Sequence, residues 1–459
     1  ILEALNAWAR GGRQAGLAAS ARAFAELLFT PEARALIHVF FAQTAAKKNP
    51  WPGVALDVDA VGVLGAGLMG SGIAEVTAAG GMRVLLKDRD VALSLKGKAA
   101  VYRGLSKRVG KGRTPFERDR MAARVAVVDR YEPLAATQLT IEAVLEEPAL
   151  KREVVAAVER VTGEGRHVFA SNTSAIPIHE IAAEAARPEA VLGMHYFSPV
   201  PKMPLLEIVV TPETADWAAA TAFEVGSRQG KTTIVVNDGP GFYTTRVLSV
   251  FMAEALRALE EGADPAELER AVVAYGFPLG PLALMDDVGI DVAAKIETVL
   301  EPFMAARGLT RSPVSGRLVE AGYLGRKVGK GFYRYEGGKR QKEFDPAALG
   351  LAGFRSGGVA AVERGGALAE RLALAFVREA VLCLAEGVLR SARDGDVGAV
   401  FGLGFPPFRG GPFHLVDQEG AGSVVARLEA LQARHGARFE PPAALRELVA
   451  AGGRYHPRD

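Results

Sequence analysis

The apolar run 60–65 ends in three glycines spaced G-x-G-x-x-G, Gly65, Gly67 and Gly70, and a helical stretch follows at once. Few folds accommodate that order. Gly65 allows a tight turn out of a strand. Gly67 removes the side chain that would keep the backbone away from a pyrophosphate, and Gly70 lets helix and strand pack closely. Leu68 and Met69 open the helix, whose first amides form an anion site. Such a motif is weak alone, but Asp88 closes the next apolar run about 20 residues on, where a carboxylate meets a ribose hydroxyl. A carboxylate there favours NAD over its 2′-phosphorylated relative, and Arg89 beside it softens the preference.

Further β-rich runs recur at 84–87, 125–128, 139–143, 168–171, 191–194, 206–210 and 233–236, with helical stretches between most of them. That alternation predicts an α/β fold with a Rossmann-like doubly wound sheet, here over residues 51–236. Before it, Leu17, Ala21, Phe24, Leu27 and Leu28 recur at helical spacing, and the pattern restarts at Pro31. Residues 1–50 are too few for a domain and read as a helical linker packed on something else. The chain opens on Ile1 rather than Met, which suggests a start part-way through a longer protein.

Beyond residue 237 the pattern is helical and repeats itself. Arg246, the stretch Glu254–Gly262, Gly276-Phe-Pro278, Pro281 and Asp286 return in the same order as Arg371, Glu379–Gly387, Gly404-Phe-Pro406, Pro412 and Asp417. Two copies of one all-helical domain are expected, over 237–335 and 365–459, with residues 336–364 as a Gly-, Lys- and Ser-rich linker.

The formal net charge of +2 argues against a broad basic footprint for nucleic acid. Cys383 has no partner for an internal disulfide, which suits a reducing compartment, and its apolar helical surroundings read as core. No apolar run approaches the roughly 20 residues of a membrane span.

Chemistry-bearing residues concentrate in 168–207. Ser171-Asn172-Thr173-Ser174 closes one strand, at the edge where ligands meet open α/β sheets. His195 closes the next strand and Glu207 enters the one after. Oxidising a hydroxyl to a ketone needs a hydride acceptor, a base for the hydroxyl proton and a group that fixes the base's tautomer. Histidine suits the base, a carboxylate suits the orienting group, and the Ser174 hydroxyl suits the substrate oxygen. The pattern alone leaves His195 open between base and structural residue, with His167 and His179 as competitors, and Glu207 open between partner and surface charge.

The loop Gly65–Gly70, Ser171–Ser174, Gly193-Met-His195-Tyr-Phe-Ser-Pro-Val and Asp238-Gly-Pro-Gly-Phe-Tyr-Thr-Thr-Arg246 together resemble the 3-hydroxyacyl-CoA dehydrogenase family. Gly276–Pro281, Leu324–Tyr333 and Asp396–Pro407 extend the resemblance over nearly the whole chain. Within the family it is nearest to the multifunctional α-subunits of bacterial fatty-acid oxidation complexes and of the mitochondrial trifunctional enzyme. Residues 1–50 resemble the tail that follows the enoyl-CoA hydratase domain of those subunits. The hydratase fold itself is not in this sequence.

The resemblance implies NAD-dependent oxidation of (S)-3-hydroxyacyl-CoA to 3-ketoacyl-CoA in fatty-acid β-oxidation, with NAD as cofactor and no metal. It implies His195 as base, Glu207 as its partner, and Ser174 against substrate and nicotinamide. Asp88 matches the ribose acid; Glu146, Lys151 and Asn172 fall at cofactor positions, and Lys327 lies in a further motif near the cofactor. A thiolase subunit is the implied partner, and the duplicated helical unit stands for the second subunit of the short dimeric enzymes. Those short enzymes carry Asn where this chain has Thr245, which puts a carbonyl-binding role for that position in doubt. The basic stretch 96–113, read as a helix, offers Lys107 and Lys111 to the phosphates of CoA, and the acyl chain belongs between the two folds. A cytoplasmic setting is expected in a bacterium and a mitochondrial one in a eukaryote. The rival readings are a non-catalytic scaffold for a thiolase and an NAD dehydrogenase acting on other hydroxy acids.

Overall fold

The structure, a computed structural model, describes residues 1–354 and 363–457. Eight strands form one sheet: β1 (Ala60–Leu64), β2 (Arg83–Lys87), β3 (Val125–Val127), β4 (Leu139–Glu142), β5 (Val168–Ser171), β6 (Val191–Tyr196), β7 (Leu205–Val210) and β8 (Thr232–Asn237). Their order is β3-β2-β1-β4-β5-β6-β7-β8. All neighbours run parallel except β6 and β7. Every residue of β1, β4, β5, β6 and β7 is buried, as expected of strands covered on both faces. The chain crosses from β1 to β2 on one side and returns to β4 on the other. A doubly wound sheet opens its ligand crevice at that reversal, beyond the carboxyl ends of the strands.

Helix α1 (Leu2–Leu28) starts well before the periodic residues that predict it, and its backbone leaves helical geometry at Gly12, where φ is 76°. Helix α2 (Pro31–Ala45) begins at the expected break. Thr30 Oγ1 accepts the amide of Ala33 at 3.2 Å, and Pro31 occupies the first turn. Both helices leave large apolar side chains exposed, among them Trp8, Phe24, Leu27, Phe40 and Phe41.

Helices α3 (Leu68–Ala79) and α4 (Val91–Ser106) follow β1 and β2. Here the structure corrects the sequence. The basic stretch is not one helix over 96–113: α4 stops at Ser106, and Lys107 and Lys111 sit in turns that pass through Gly110 and Gly112, both at positive φ. Residues 336–364 are likewise more than a linker. Strands β9 (Tyr333–Glu336) and β10 (Lys339–Phe344) pair antiparallel around Gly337 and Gly338, whose positive φ suits a tight hairpin, and a helix Pro346–Leu351 follows. Residues 355–362 of that stretch lie outside the described residues.

The helices Thr244–Glu260 and Gly366–Ala385 carry the sequence repeat and pack on each other. Arg246 Nε donates to Glu379 Oε1 at 2.6 Å, and Arg371 Nε donates to Glu254 Oε1 at 2.7 Å. The repeat extends to the helix caps. Glu269 accepts the amide of Leu282 as Asp396 accepts that of Phe413, both at 2.8 Å. Asp286 takes the amides of Phe332 and Tyr333, and Asp417 takes those of Tyr455 and His456. Cys383 is buried within this packed pair. Among the described residues no helix is long and apolar enough to cross a membrane.

Candidate active site

The carboxyl ends of β1, β2, β4, β5 and β6 bring most of the singled-out residues to one crevice. Gly65 leaves β1 with φ 91°, and a Cβ there would come within 2.4 Å of the Ala143 carbonyl. A Cβ on Gly70 would sit 1.8 Å from the Gly65 carbonyl, so only glycine lets α3 close on the turn. Gly67 differs: its φ is −70°, and nothing of the protein lies within 4 Å of a Cβ there. Neither backbone strain nor packing calls for that glycine, so the open space is what a bound group would fill. Gly67 is the N-cap and no side chain caps the helix, which leaves the Leu68 and Met69 amides to an anion. Asp88 Oδ2 accepts the Ala66 amide at 2.6 Å and so holds the loop from the end of β2. These features fit a dinucleotide.

At and beyond the end of β4, the buried Glu142 and Lys151 form a network with the part-exposed Glu146. Lys151 Nζ donates to both Glu142 oxygens, at 2.8 and 3.0 Å, and lies 3.3 Å from Glu146 Oε2. The Ser171 hydroxyl donates to Glu142. Glu146 Oε1 accepts the Thr173 hydroxyl at 2.5 Å and the Ser174 amide at 3.0 Å. Lys151 is 1% exposed, and its charge is taken up inside the protein. Its visible work is to orient the two glutamates, and Glu146 in turn fixes the loop that carries Ser174. Asn172 Oδ1 accepts the Tyr196 amide at 3.0 Å, tying the end of β5 to that of β6.

Because β6 and β7 run antiparallel, His195 and Glu207 stand opposite each other on one rung. His195 Nδ1 is 2.9 Å from Glu207 Oε2, and both side chains are buried. The carboxylate accepts four donors in all. The amides of Tyr243 and Thr244 reach Oε1 at 3.1 and 3.2 Å, and the Thr244 hydroxyl reaches Oε2 at 2.6 Å. These come from the start of the Thr244–Glu260 helix, where backbone amides favour an anion. Four donors on a carboxylate fix it as acceptor, so Nδ1 of His195 carries the proton and Nε2 is left with no partner among the described hydrogen bonds. The rings of Phe197 and Phe242 flank the imidazole, with centroids 4.6 and 6.1 Å away. Phe242 is buried at φ 51°, a backbone region that costs a bulky residue about 1–3 kcal/mol and collects at functional sites.

The competing histidines are otherwise occupied. His167 is buried with both nitrogens engaged, by the Thr137 carbonyl at 2.9 Å and Thr140 Oγ1 at 3.0 Å. His179 is exposed and pairs with Asp238. Thr244, to which the sequence assigns no role, touches the carboxylate, whereas its neighbour Thr245 has no side-chain hydrogen bond among those described.

Three expected contacts are not brought to the crevice by any described bond. Lys327 Nζ is held by Asp291, at 2.5 and 2.6 Å, in the first helical unit. Lys107 and Lys111 are exposed. The basic turn lies over α3, where burial raises the Glu75 carboxyl against the opposing charges of Arg113, Lys107 and Arg108.

Family models match in two places: residues 60–239 match the NAD binding domain of 3-hydroxyacyl-CoA dehydrogenase, and residues 241–335 match its C-terminal domain. A fatty acid oxidation complex subunit alpha of Shewanella halifaxensis is 41% identical over 99% of this chain. The chain spans 64% of that relative's length. The solved 3-hydroxybutyryl-CoA dehydrogenase of Escherichia coli K12 is 30% identical with a TM-score of 0.75, covering 86% of this chain and all of its own. The (S)-3-hydroxybutyryl-CoA dehydrogenase of Ralstonia eutropha is 35% identical with a TM-score of 0.58, over 61% of this chain and all of its own.

Proposed function

Because the chain belongs to the 3-hydroxyacyl-CoA dehydrogenase family, we propose that it oxidises (S)-3-hydroxyacyl-CoA to 3-ketoacyl-CoA with NAD in fatty-acid β-oxidation. One observation carries the reading: a buried imidazole whose Nδ1 is held by a hydrogen-bonded carboxylate and whose Nε2 has no partner among the described hydrogen bonds, in a sheet whose β1 exit carries a glycine loop open at Gly67. NAD, when bound, supplies the acceptor for the C3 hydrogen and its electron pair. Gly65, Gly67 and Gly70, the amides of Leu68 and Met69, and Asp88 would hold it.

His195 Nε2 takes the proton of the C3 hydroxyl. Glu207 stabilises the resulting imidazolium through Nδ1–H, as an orienting carboxylate does for a general base. Ser174, on the loop that Glu146 and Thr173 fix, holds the substrate oxygen. Thr244 and the first turn of its helix hold Glu207. A small apolar cleft lined by Leu248, Phe251, Leu279, Leu284 and Leu403 lies along the helix that Thr244 opens.

The wider setting belongs to the same proposal. The relative from Shewanella, longer than this chain and named as the alpha subunit of a fatty acid oxidation complex, supports a role as the dehydrogenase part of such a subunit; a thiolase partner and a bacterial cytoplasmic setting rest on the family resemblance alone. The test is direct. NADH absorbance is followed with acetoacetyl-CoA and with a long-chain 3-ketoacyl-CoA. Oxidation of NADH by either supports the reaction, and the ratio of rates sets the chain-length class. A folded, NADH-binding protein that oxidises it with neither would favour the scaffold reading.

A further inference from the structure

Outside the crevice, three of the seven histidines gather around one carboxylate. His38 Nε2 and His456 Nε2 lie 2.9 and 2.8 Å from the same oxygen, Asp396 Oδ2. The His414 ring stacks on that of His38, with centroids 4.7 Å apart. The four residues come from α2, the helix Ala392–Leu403, the helix Pro412–Glu419 and the C-terminal segment, so stretches far apart in sequence converge here.

The first helical unit shows how little of this the fold requires. There Glu269 does the work of Asp396, capping the next helix with one oxygen, while its other oxygen accepts a single neutral donor, the Tyr333 hydroxyl, at 3.1 Å. In the second unit His456 stands where Tyr333 stands, as their shared contacts with Asp417 and Asp286 show. A second imidazole then arrives from α2 on the same oxygen. The cap needs one donor and has two imidazoles, with a third ring against them.

We propose that His38, Asp396 and His456 bind a divalent transition-metal ion of the zinc type. Two imidazoles and a carboxylate are the donor set such ions select. The three ligand atoms lie within 4.8 Å of one another. Tetrahedral zinc, with bonds near 2.0–2.1 Å, sets its ligand atoms about 3.3 Å apart, so small side-chain rotations suffice. Asp396 is already fixed for the task, since Oδ1 accepts the Phe413 amide at 2.8 Å and leaves Oδ2 to the ion. Each imidazole would carry its proton on Nδ1 and offer the Nε2 lone pair. His38 and His456 are part-exposed, so the ion has a path from solvent. Bound there, it would clip α2 and the C-terminal segment to the second helical unit. None of these residues serves the proposed dehydrogenase chemistry.

The experiment uses the full chain without a histidine tag, stripped with a chelator and titrated with Zn²⁺ by calorimetry and with Co²⁺ by its visible absorption. A single ion per chain is expected, with a tetrahedral Co²⁺ spectrum and a Tm that rises with Zn²⁺. His38→Gln and His456→Gln each keep a donor for Asp396 but remove the imidazole, and each should weaken Zn²⁺ at least about tenfold while the metal-free Tm stays near that of the parent. No Zn²⁺ or Co²⁺ binding by the parent, or equal binding by parent and variants, would overturn the site and leave a hydrogen-bonded cap. The Co²⁺ spectrum of the parent tests the ligand set even where a variant folds poorly.

Discussion

Arg246 and Arg371 reach across one helix pair in opposite directions, each into a glutamate on the other's helix. The two pairs are images of each other under the sequence repeat. Burial alone would raise the Glu254 carboxyl, but the charges of Arg371 and Arg438 outweigh it and hold the group below its ordinary range. Removing Arg371 leaves the buried Glu254 to Arg438 alone and takes a partner from Glu261 and Glu363 as well. Arg371→Met is expected to cost about 3–5 kcal/mol, read as a fall in the urea midpoint. Adding Glu254→Gln to that variant should cost less than it does alone, because the pair is already broken. Additive losses would mean that the pair is not coupled.

His195→Gln should leave NADH binding intact and lower turnover by about 10²–10⁴, the usual range for a positioned acid–base group. Stopped-flow turnover beside an NADH fluorescence titration checks both halves. Near-normal turnover removes His195 from the mechanism.

Thr244→Val takes one donor from Glu207 without adding bulk. A fall in kcat of about tenfold is expected, in line with one buried hydrogen bond to a charged group, with KM little changed. A rise in KM at constant kcat would place Thr244 in substrate binding instead.

Gly67→Ala and Gly70→Ala should separate cleanly. The first meets nothing within 4 Å and should keep the Tm while weakening NADH. The second drives a methyl group into the Gly65 carbonyl and should lower the Tm as well. Unchanged NADH affinity in Gly67→Ala would argue that the dinucleotide does not approach the backbone there.

Burial pushes the His167 imidazole down to about 4 from 6.5. The unfolded chain therefore takes up this proton first as pH falls. The stability linked to neutral His167 is fully present above pH 6.5 and is lost through the window from 6.5 down to about 4. The loss should approach about 3 kcal/mol at the acid end. His167→Gln should flatten this part of the urea-midpoint profile, and an unchanged slope would assign it to other groups.

The sheet was legible because its strands are continuous apolar runs: each predicted run overlaps a strand to within about two residues at either end. The start of helix α1 leaves little trace in the sequence, because Ile1 offers no side-chain cap and Gly12 interrupts the period. Lysine and arginine favour helices, which hid the end of α4 at Ser106 and the two positive-φ glycines in the turns beyond it. In the crevice, His195 and Glu207 stood out, but not their opposition on one rung, which depends on β7 turning antiparallel. Thr244 was invisible for the same reason: its hydroxyl meets Glu207 only after 37 residues of chain fold back. Lys151 is expected among the cofactor contacts, and no pattern in the sequence shows that Glu142 and Glu146 take up its charge.

The mirrored arginines have a thermodynamic consequence. Two copies of a helical unit joined by peptide bonds meet at an effective concentration that no dilution lowers. Their mutual stability is a property of one molecule, independent of how much protein is present. Each copy can also change alone, as the exchange of Tyr333 for His456 shows. A symmetric pair of identical subunits has no such freedom, since any change there appears twice.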